Sequence, residues 1–501
     1  MADPFYITTA IHYPNGKPHI GHAYEMIAAD TIARFQRQQG RNVFFQTGTD
    51  EHGLKMVQTA RARDMTAREL ADEMSNHFRV MADKLDISCD RFIRTSEADH
   101  YRASQAIWEK MAAKGDLYLD RYEGWYSVRD EAFYEEKELQ EGEGGQKLSP
   151  QGTPVEWTKE ETWFFRLSKY QQPLLDFYAA NPDFIRPESR RNEVLRFVEG
   201  GLVDLSVSRT SFDWGVPVPG SPGHVMYVWV DALTNYLTGA GFPDDAERLA
   251  RYWPADLHLI GKDIVRFHTV YWPAFLMSAD IALPKQVFGH GFLLNRGEKM
   301  SKSVGNVVDP MELAETYGVD ALRYFLLRDV SFGQDGTFSD EAIVTRANAD
   351  LSNSFGNLAQ RTLSFIAKNC EGAVQAGRAE DADAVLLTEV DTACAAFTRA
   401  FEDLALSQGV EAWMTGVFAC NQYIDAQAPW ALRKTDPERM HAVLGTLLKA
   451  IRRLGVTIEP VVPTSAAKLL AQLGPEGDAA FKIAAPTPIF PRLELQSSED
   501  A

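Results

Sequence analysis

The first fifty residues constrain the fold more than any other stretch. Phe5 to Ile11 is a short β-prone run, Pro14-Asn15-Gly16-Lys17-Pro18 reads as a turn, and a helical pattern then runs to about Gln39 before Gly40. Val43 to Gln46 predicts a second strand, which ends in Thr47-Gly48-Thr49-Asp50-Glu51-His52-Gly53. Strand, helix and strand in this order commit the chain to a parallel α/β sheet, because parallel neighbours need a crossover. On a helical wheel Ile20, Tyr24, Ile27, Ala28, Thr31 and Phe35 fall within an arc of about 100°, which predicts the core-facing stripe. His19 and His22 lie outside it. Ligands of such sheets sit beyond the carboxyl ends of the strands, where the first turn and Asp50 fall.

Between about residues 117 and 225 the pattern loosens into short aromatic strands and loops such as Glu141-Gly142-Glu143-Gly144-Gly145, which predicts an insertion splitting the sheet domain. Alternation returns with Leu257 to Ile260, ending at Gly261-Lys262-Asp263, and with Val287 to Leu294, ending in Arg296-Gly297-Glu298-Lys299-Met300-Ser301-Lys302-Ser303. Asp309-Pro310-Met311-Glu312 supplies an N-cap, a first-turn proline and a capping-box acid, so a helix starts there. From about Ser339 long helical periods predict a bundle. The expected layout is therefore a sheet domain in two halves, 1–116 and 226–338, an insertion over 117–225, and a helical domain over 339–501.

The 501 residues carry 51 basic and 70 acidic side chains, a net charge of −19, which excludes the broad basic surface of a protein that coats nucleic acid without specificity. A local basic face remains open. Between Arg433 and Arg453 six Lys or Arg stand against two Asp or Glu, although a solvated helix gives the same pattern. Cys89, Cys370, Cys394 and Cys420 form no Cys-x-x-Cys pair, which argues for a reducing, cytoplasmic compartment. Met1 to Ala10 lacks the pattern of a signal peptide, and no apolar run reaches the roughly 18 residues of a membrane span.

Two motifs carry the chemistry. His19-Ile20-Gly21-His22 opens a helix, where backbone N–H groups and the positive dipole end favour an anion, and two imidazoles three apart share that side. Gly21 leaves room for a flat ring to approach the backbone. Lys299-Met300-Ser301-Lys302-Ser303 places two ammonium groups three apart on a polar loop, a clasp for polyphosphate; alone, such a loop is ordinarily just solvated.

With both motifs in this order the chain resembles the class I aminoacyl-tRNA synthetases, whose signatures are HIGH and KMSKS. Tyr13-Pro14-Asn15-Gly16, the Thr47 to Gly53 run, Tyr122-Glu123-Gly124-Trp125-Tyr126, Val207-Ser208-Arg209-Thr210, Tyr227-Val228-Trp229-Val230-Asp231-Ala232, Gly261-Lys262-Asp263-Ile264 and Gln427-Ala428-Pro429-Trp430 narrow the resemblance to the methionyl-tRNA synthetase family, over nearly the whole chain. The resemblance implies a Rossmann-like parallel-sheet catalytic domain split by a connective insertion and followed by an all-α helical-bundle anticodon-binding domain. It implies activation of methionine by ATP with Mg²⁺, then transfer to the 3′ terminal ribose of methionine tRNA, initiator and elongator, with AMP and pyrophosphate released. His19, Gly21 and His22 then belong to the ATP site with Gly261 and Asp263, and Lys299 and Lys302 close on the leaving pyrophosphate. Asp50 holds the methionine ammonium. Trp229, Ala232 and Tyr236, at i, i+3 and i+7, form the thioether wall with Ile11, Tyr13 and His268, although such a stripe is by itself ordinary core. Arg209 falls near the substrate without a settled role. Asn357, Arg361 and Trp430 match anticodon readers, and Asn357 and Arg361, at i and i+4, project from one helix face.

Two departures qualify the carry-over. The family's zinc knuckle falls here on Ser127, Asp130, Leu148 and Gln151, none a cysteine, so a metal-free knuckle is expected. No oligonucleotide-binding domain follows the bundle, so a monomer is expected, and no large editing domain is accommodated. Two other readings share parts of the pattern: a small-molecule nucleotidyltransferase, which needs no long helical domain, and a non-catalytic tRNA-binding paralogue, which needs neither signature motif.

Overall fold

Apolar strands build a six-stranded sheet in the computed structural model, which describes residues 2–130, 132–300, 306–475 and 480–495. The order is Arg91–Arg94 (β3), Asn42–Thr49 (β2), Pro4–Thr9 (β1), Leu257–Gly261, Val287–His290 and Ile185–Arg186, and every pair is parallel. Ile7 of β1 lies opposite Phe45 on one side and Leu257 on the other. The chain winds outward from β1 to one edge and later steps the other way from Leu257–Gly261 to Val287–His290, beyond which lies the earlier strand Ile185–Arg186. The order therefore reverses between these two central strands, and the crevice beyond their carboxyl ends is where such sheets bind ligands. The segments leading from these two strands carry Ile11, Tyr13 and His19, and Asp263. Both faces of the sheet are covered, since β2 is buried at every residue after Asn42, which explains its continuous apolar run.

Helix α1, Ile20–Gln38, buries the whole expected stripe, but Ala23, Met26, Ala29 and Ile32 are buried too, so it is enclosed on nearly every side rather than half-solvated. In the insertion, Leu117–Ser127 and Glu156–Phe165 form one long antiparallel pair, from Leu117 opposite Phe165 to Tyr126 opposite Glu156. Two helices, Gln171–Ala180 and Glu188–Glu199, were not legible in the sequence because each fully buries only two side chains, Leu174 with Tyr178 and Val194 with Val198. The sheet's last edge strand, Ile185–Arg186, also comes from inside the insertion. The expected strand Val287 to Leu294 is two strands, Val287–His290 and Leu293–Asn295. At the break, a Cβ on Gly291 would meet the Gln334 backbone at 2.2 Å, an approach only glycine allows.

The chain forms two compact units, one of Met1–Ala29, Gln39–Asp83 and Ile87–His290, the other of Asp30–Gln38, Lys84–Asp86 and Gly291–Ala501. In the second, helices Pro310–Tyr317 and Val319–Arg328 belong with the bundle: Tyr324 meets Trp413 edge-on, and the fully buried Arg323 donates to Asp30 at 2.6 Å and to the carbonyls of Pro460 and Val461. Asp309 caps the first of these helices as expected, accepting from the Met311 N–H at 2.8 Å. Asp381–Glu402 and Leu406–Gln427 form a helical hairpin, followed by Pro437–Ile458 and Pro463–Leu473. The basic stretch is largely engaged within this unit. Arg439 is buried against Asp383 with two contacts of 2.6 Å, Arg453 pairs with Asp391 at 2.8 Å, and Arg452 donates to the carbonyls of Leu473 and Gly474. Among the described residues no helix is long and apolar enough to cross a membrane.

Candidate active site

At the start of α1, His19 just before the helix and His22 in its first turn cap it. The His19 Nδ1 accepts the Gly21 N–H at 3.1 Å, and the His22 Nδ1 accepts the His19 N–H at 3.1 Å. This is a capping box made of imidazoles, and it uses backbone donors that sequence reading left for an anion. Because each Nδ1 accepts, the ring proton of each neutral imidazole sits on Nε2. The rings stack with centroids 3.8 Å apart. A Cβ on Gly21 would lie 2.9 Å from the His19 ring, so the space beside this glycine is taken by His19 itself in this arrangement.

A third imidazole escaped sequence reading. His12 lies between Ile11 and Tyr13, with its centroid 5.0 Å from His22 and its ring stacked on Phe78 at 5.4 Å. Burial drives its pKa below the usual range, so it stays neutral. Its backbone ties strand end to strand end: the His12 N–H donates to Gly48 O, and the Asp50 N–H donates to His12 O. Asp50 thereby sits just past β2, 9% exposed. Glu25, one turn into α1, meets His290 at 2.8 Å, a second buried pair with no sequence signal because 265 residues separate the partners.

The helix Val228–Gly239 carries Trp229, Ala232 and Tyr236 as expected. Trp229 lies face to face on Phe267 at 3.8 Å, and the Tyr236 hydroxyl is 2.6 Å from His268 Nε2. His268 Nδ1 is 2.9 Å from Ile264 O, which only an Nδ1–H can satisfy, so Nε2 accepts from Tyr236. Burial pushes the His268 pKa down to about 4, and the wall is neutral near pH 7. His268 stands on a π-helical turn, Phe267–Tyr271, a distortion that often marks functional sites. Ile11 and Tyr13 are half-buried on the segment leading to α1, and the Lys55 ammonium lies 5.9 Å over the Tyr13 ring.

Past strand Leu257–Gly261 the Asp263 carboxylate folds back over Gly261, where a Cβ would stand 2.7 Å from it. Arg209, 3% exposed, lies over the rings of Tyr227 and Tyr126 and donates to Ser208 O at 2.6 Å. In the second unit, Glu298–Lys299 is a short strand, while Ser301, Lys302 and Ser303 lie outside the described residues. Asn357 and Arg361 share helix Asn357–Asn369; Asn357 is exposed, and Arg361 contacts Asp425 at 2.8 Å and lies 5.4 Å over the ring of Trp430, itself 46% exposed.

Residues 5–363 match a family model described as tRNA synthetases class I (M), and residues 374–487 match the anticodon binding domain of methionyl tRNA ligase. The chain belongs to the class I methionyl-tRNA synthetase family. It is 58% identical over 504 residues to the methionine–tRNA ligase of Brucella suis biovar 1, covering 98% of each chain. It is 56% identical over 518 residues to that of Mesorhizobium japonicum, covering 100% of this chain and 99% of the other. The structure of Mycobacterium tuberculosis methionyl-tRNA synthetase in complex with methionyl-adenylate superposes with a TM-score of 0.95 at 56% identity, over 98% of this chain and 100% of that one. The free-state form of that synthetase gives 0.89 at 52% identity, over 99% of each.

The residues of the expected knuckle form a hydrogen-bonded cluster. Asp130 accepts from the hydroxyls of Ser149 at 2.6 Å, Thr153 at 2.5 Å and Tyr134 at 3.1 Å, and Ser127 joins through Thr153 at 2.8 Å. Leu148 pairs in a two-residue strand, and the Gln151 N–H donates to the Ser149 hydroxyl. The carboxylate and hydroxyls occupy one another, and among the described residues no three His, Cys, Asp or Glu side chains gather as metal ligands.

Proposed function

We propose that the crevice at the sheet's switch point activates methionine with ATP and that the adenylate then acylates the 3′ terminal ribose of methionine tRNA, as the family's members do. The methionine carboxylate attacks the α-phosphorus, pyrophosphate leaves, and the tRNA hydroxyl later displaces AMP. No covalent enzyme nucleophile is needed. The chain must stabilise charge growing on phosphorus, which fixed donors achieve best. The observation that carries this reading is the reciprocal capping at α1, where both Nδ1 atoms accept backbone N–H groups, so that a neutral ring bears its proton on Nε2 as a donor suited to phosphate oxygens. Lys299 and Lys302 neutralise the leaving pyrophosphate. Gly261 and Asp263 receive the ribose, Asp263 accepting from its hydroxyls. Mg²⁺ arrives on the triphosphate.

Asp50 takes the ammonium of methionine, and Arg209 supports the site from beneath. Ile11, Tyr13, Trp229, Ala232, Tyr236 and His268 enclose the thioether; their neutral, aromatic character suits a polarisable sulfur. One methylene is worth roughly 1–3 kcal/mol in such a pocket, so thiol analogues compete. Asn357, Arg361 and Trp430 read unstacked anticodon bases through amide and guanidinium hydrogen bonds and indole stacking. The knuckle works without zinc, and the enzyme acts as a cytoplasmic monomer. Charging of methionine tRNA with labelled methionine tests the reading. An altered anticodon should cut kcat/KM for tRNA by about a hundredfold or more, in line with about 1–3 kcal/mol per stacked base. Equal charging of both tRNAs would remove the assignment of anticodon reading.

A further inference from the structure

One buried cluster is built from residues to which the proposed reaction assigns no role. Asp231, fully buried, points one carboxylate oxygen at His52 Nδ1, 2.5 Å away, and the other at His100 Nε2, 2.6 Å away. His52 is 1% exposed, and its Nε2 is 3.0 Å from the Tyr101 hydroxyl. His100 is fully buried, with Nδ1 3.0 Å from the Thr238 hydroxyl and Nε2 3.2 Å from Ser104. Burial alone would raise the Asp231 carboxyl, but the two imidazoles outweigh it and hold it below the usual carboxylate range.

The placement of the three residues gives the cluster its meaning. Asp231 stands on Val228–Gly239 between Trp229 and Ala232 in sequence, on the helix that carries the thioether wall. His52 stands two residues after Asp50, in the turn that presents the ammonium acceptor. Glu51, between them, is held by Arg94 at 2.6 and 3.0 Å and by Ser96 at 2.5 Å. Trp214 donates to Glu51 O at 2.5 Å. The turn is therefore clamped at both residues that follow Asp50, and His52 is the one bound to the pocket helix. A buried carboxylate is a costly way to gain stability, whereas charge-assisted hydrogen bonds fix geometry tightly. Binding sites lose their grip when a recognition group drifts by about 0.5–1 Å.

We propose that Asp231 and His52 are positioning residues for methionine: they hold the Asp50 turn in register with the helix carrying Trp229, Ala232 and Tyr236, so that ammonium and thioether are recognised together. The proposal rests on the methionine-activating reading and names how that pocket measures its substrate. Its readout is the ratio of dissociation constants for 4-(methylthio)butanoate, which lacks the ammonium, and for methionine, measured by calorimetry on the full chain. His52→Ala and Asp231→Asn should lower that ratio about fivefold or more, with KM for ATP in pyrophosphate exchange kept within about twofold. His52→Asn retains an N–H near the place of Nδ1 and should restore most of the ratio. If His52→Ala and His52→Asn behave alike, or if both ligands weaken equally, the cluster is only structural and the proposal falls. Should Asp231→Asn fail to fold, the two His52 variants decide the matter alone. Wild-type protein that binds no methionine would overturn the underlying reading as well, a different failure from an unchanged ratio.

Discussion

Histidine nitrogens are used unequally at the start of α1, and the proposed chemistry draws on that inequality. His19 and His22 accept backbone N–H groups at Nδ1, which puts the proton of a neutral ring on Nε2. Replacing His22 with Ala should lower methionine-dependent pyrophosphate exchange by about a hundredfold, the usual cost of one oxyanion donor. His22→Gln, whose amide reaches the Nε2 position, should recover part of that loss; an exchange rate in His22→Ala near wild type would exclude the donor role. The motif was legible because its residues are contiguous and open a helix. Its use as a cap was not, because His-x-x-His is not among the usual capping patterns. His12 was invisible for another reason: only folding brings Phe78 and His22 to it.

Among the elements, the connective insertion departs most from a simple reading. Its long strand pair was foreshadowed by aromatic runs, whereas the helices Gln171–Ala180 and Glu188–Glu199 have apolar stripes too thin to recognise. The knuckle's hydroxyls of Ser149 and Thr153 donate to Asp130. Purified protein should contain well below about 0.1 zinc per chain, measured by atomic emission, since a closed structural site needs four ligands. Stoichiometric zinc would contradict this account of the knuckle. In the helical unit, Trp430 projects from the short helix Pro429–Thr435 beside Arg361. Trp430→Ala should reduce kcat/KM for tRNA by about tenfold or more, as expected for a lost stacking platform, and leave pyrophosphate exchange intact. The basic stretch around Arg439 was open in the sequence to both a local basic face and a solvated helix, because charge alone does not reveal partners 56 residues away.

At the scale of the molecule, the parallel α/β sheet and the helical bundle followed from patterns long enough to read, and the division at His290 did not, because it depends on where Arg323 and Tyr324 find their partners. Buried imidazoles also give the catalytic unit a pH dependence. His268 has its pKa lowered from 6.5 to about 4, and His12 and His258 are lowered too, all by burial first. The unfolded chain then binds more protons than the folded one across this window. Stability is complete above about pH 6.5 and falls as pH drops toward 4, by on the order of 3 kcal/mol for His268 alone. Urea midpoints at pH 7 and pH 5 should show the fall, and equal midpoints would contradict the neutral wall. Light scattering should give a mass near 56.1 kDa, and twice that value would overturn the monomer.

The most direct test of the central claim is the exchange of labelled pyrophosphate into ATP by the full chain, run with and without methionine. Exchange should require methionine, collapse in His22→Ala and persist in Trp430→Ala. Exchange without methionine, or equal loss in both variants, would contradict a methionine-activating crevice served by the α1 imidazoles.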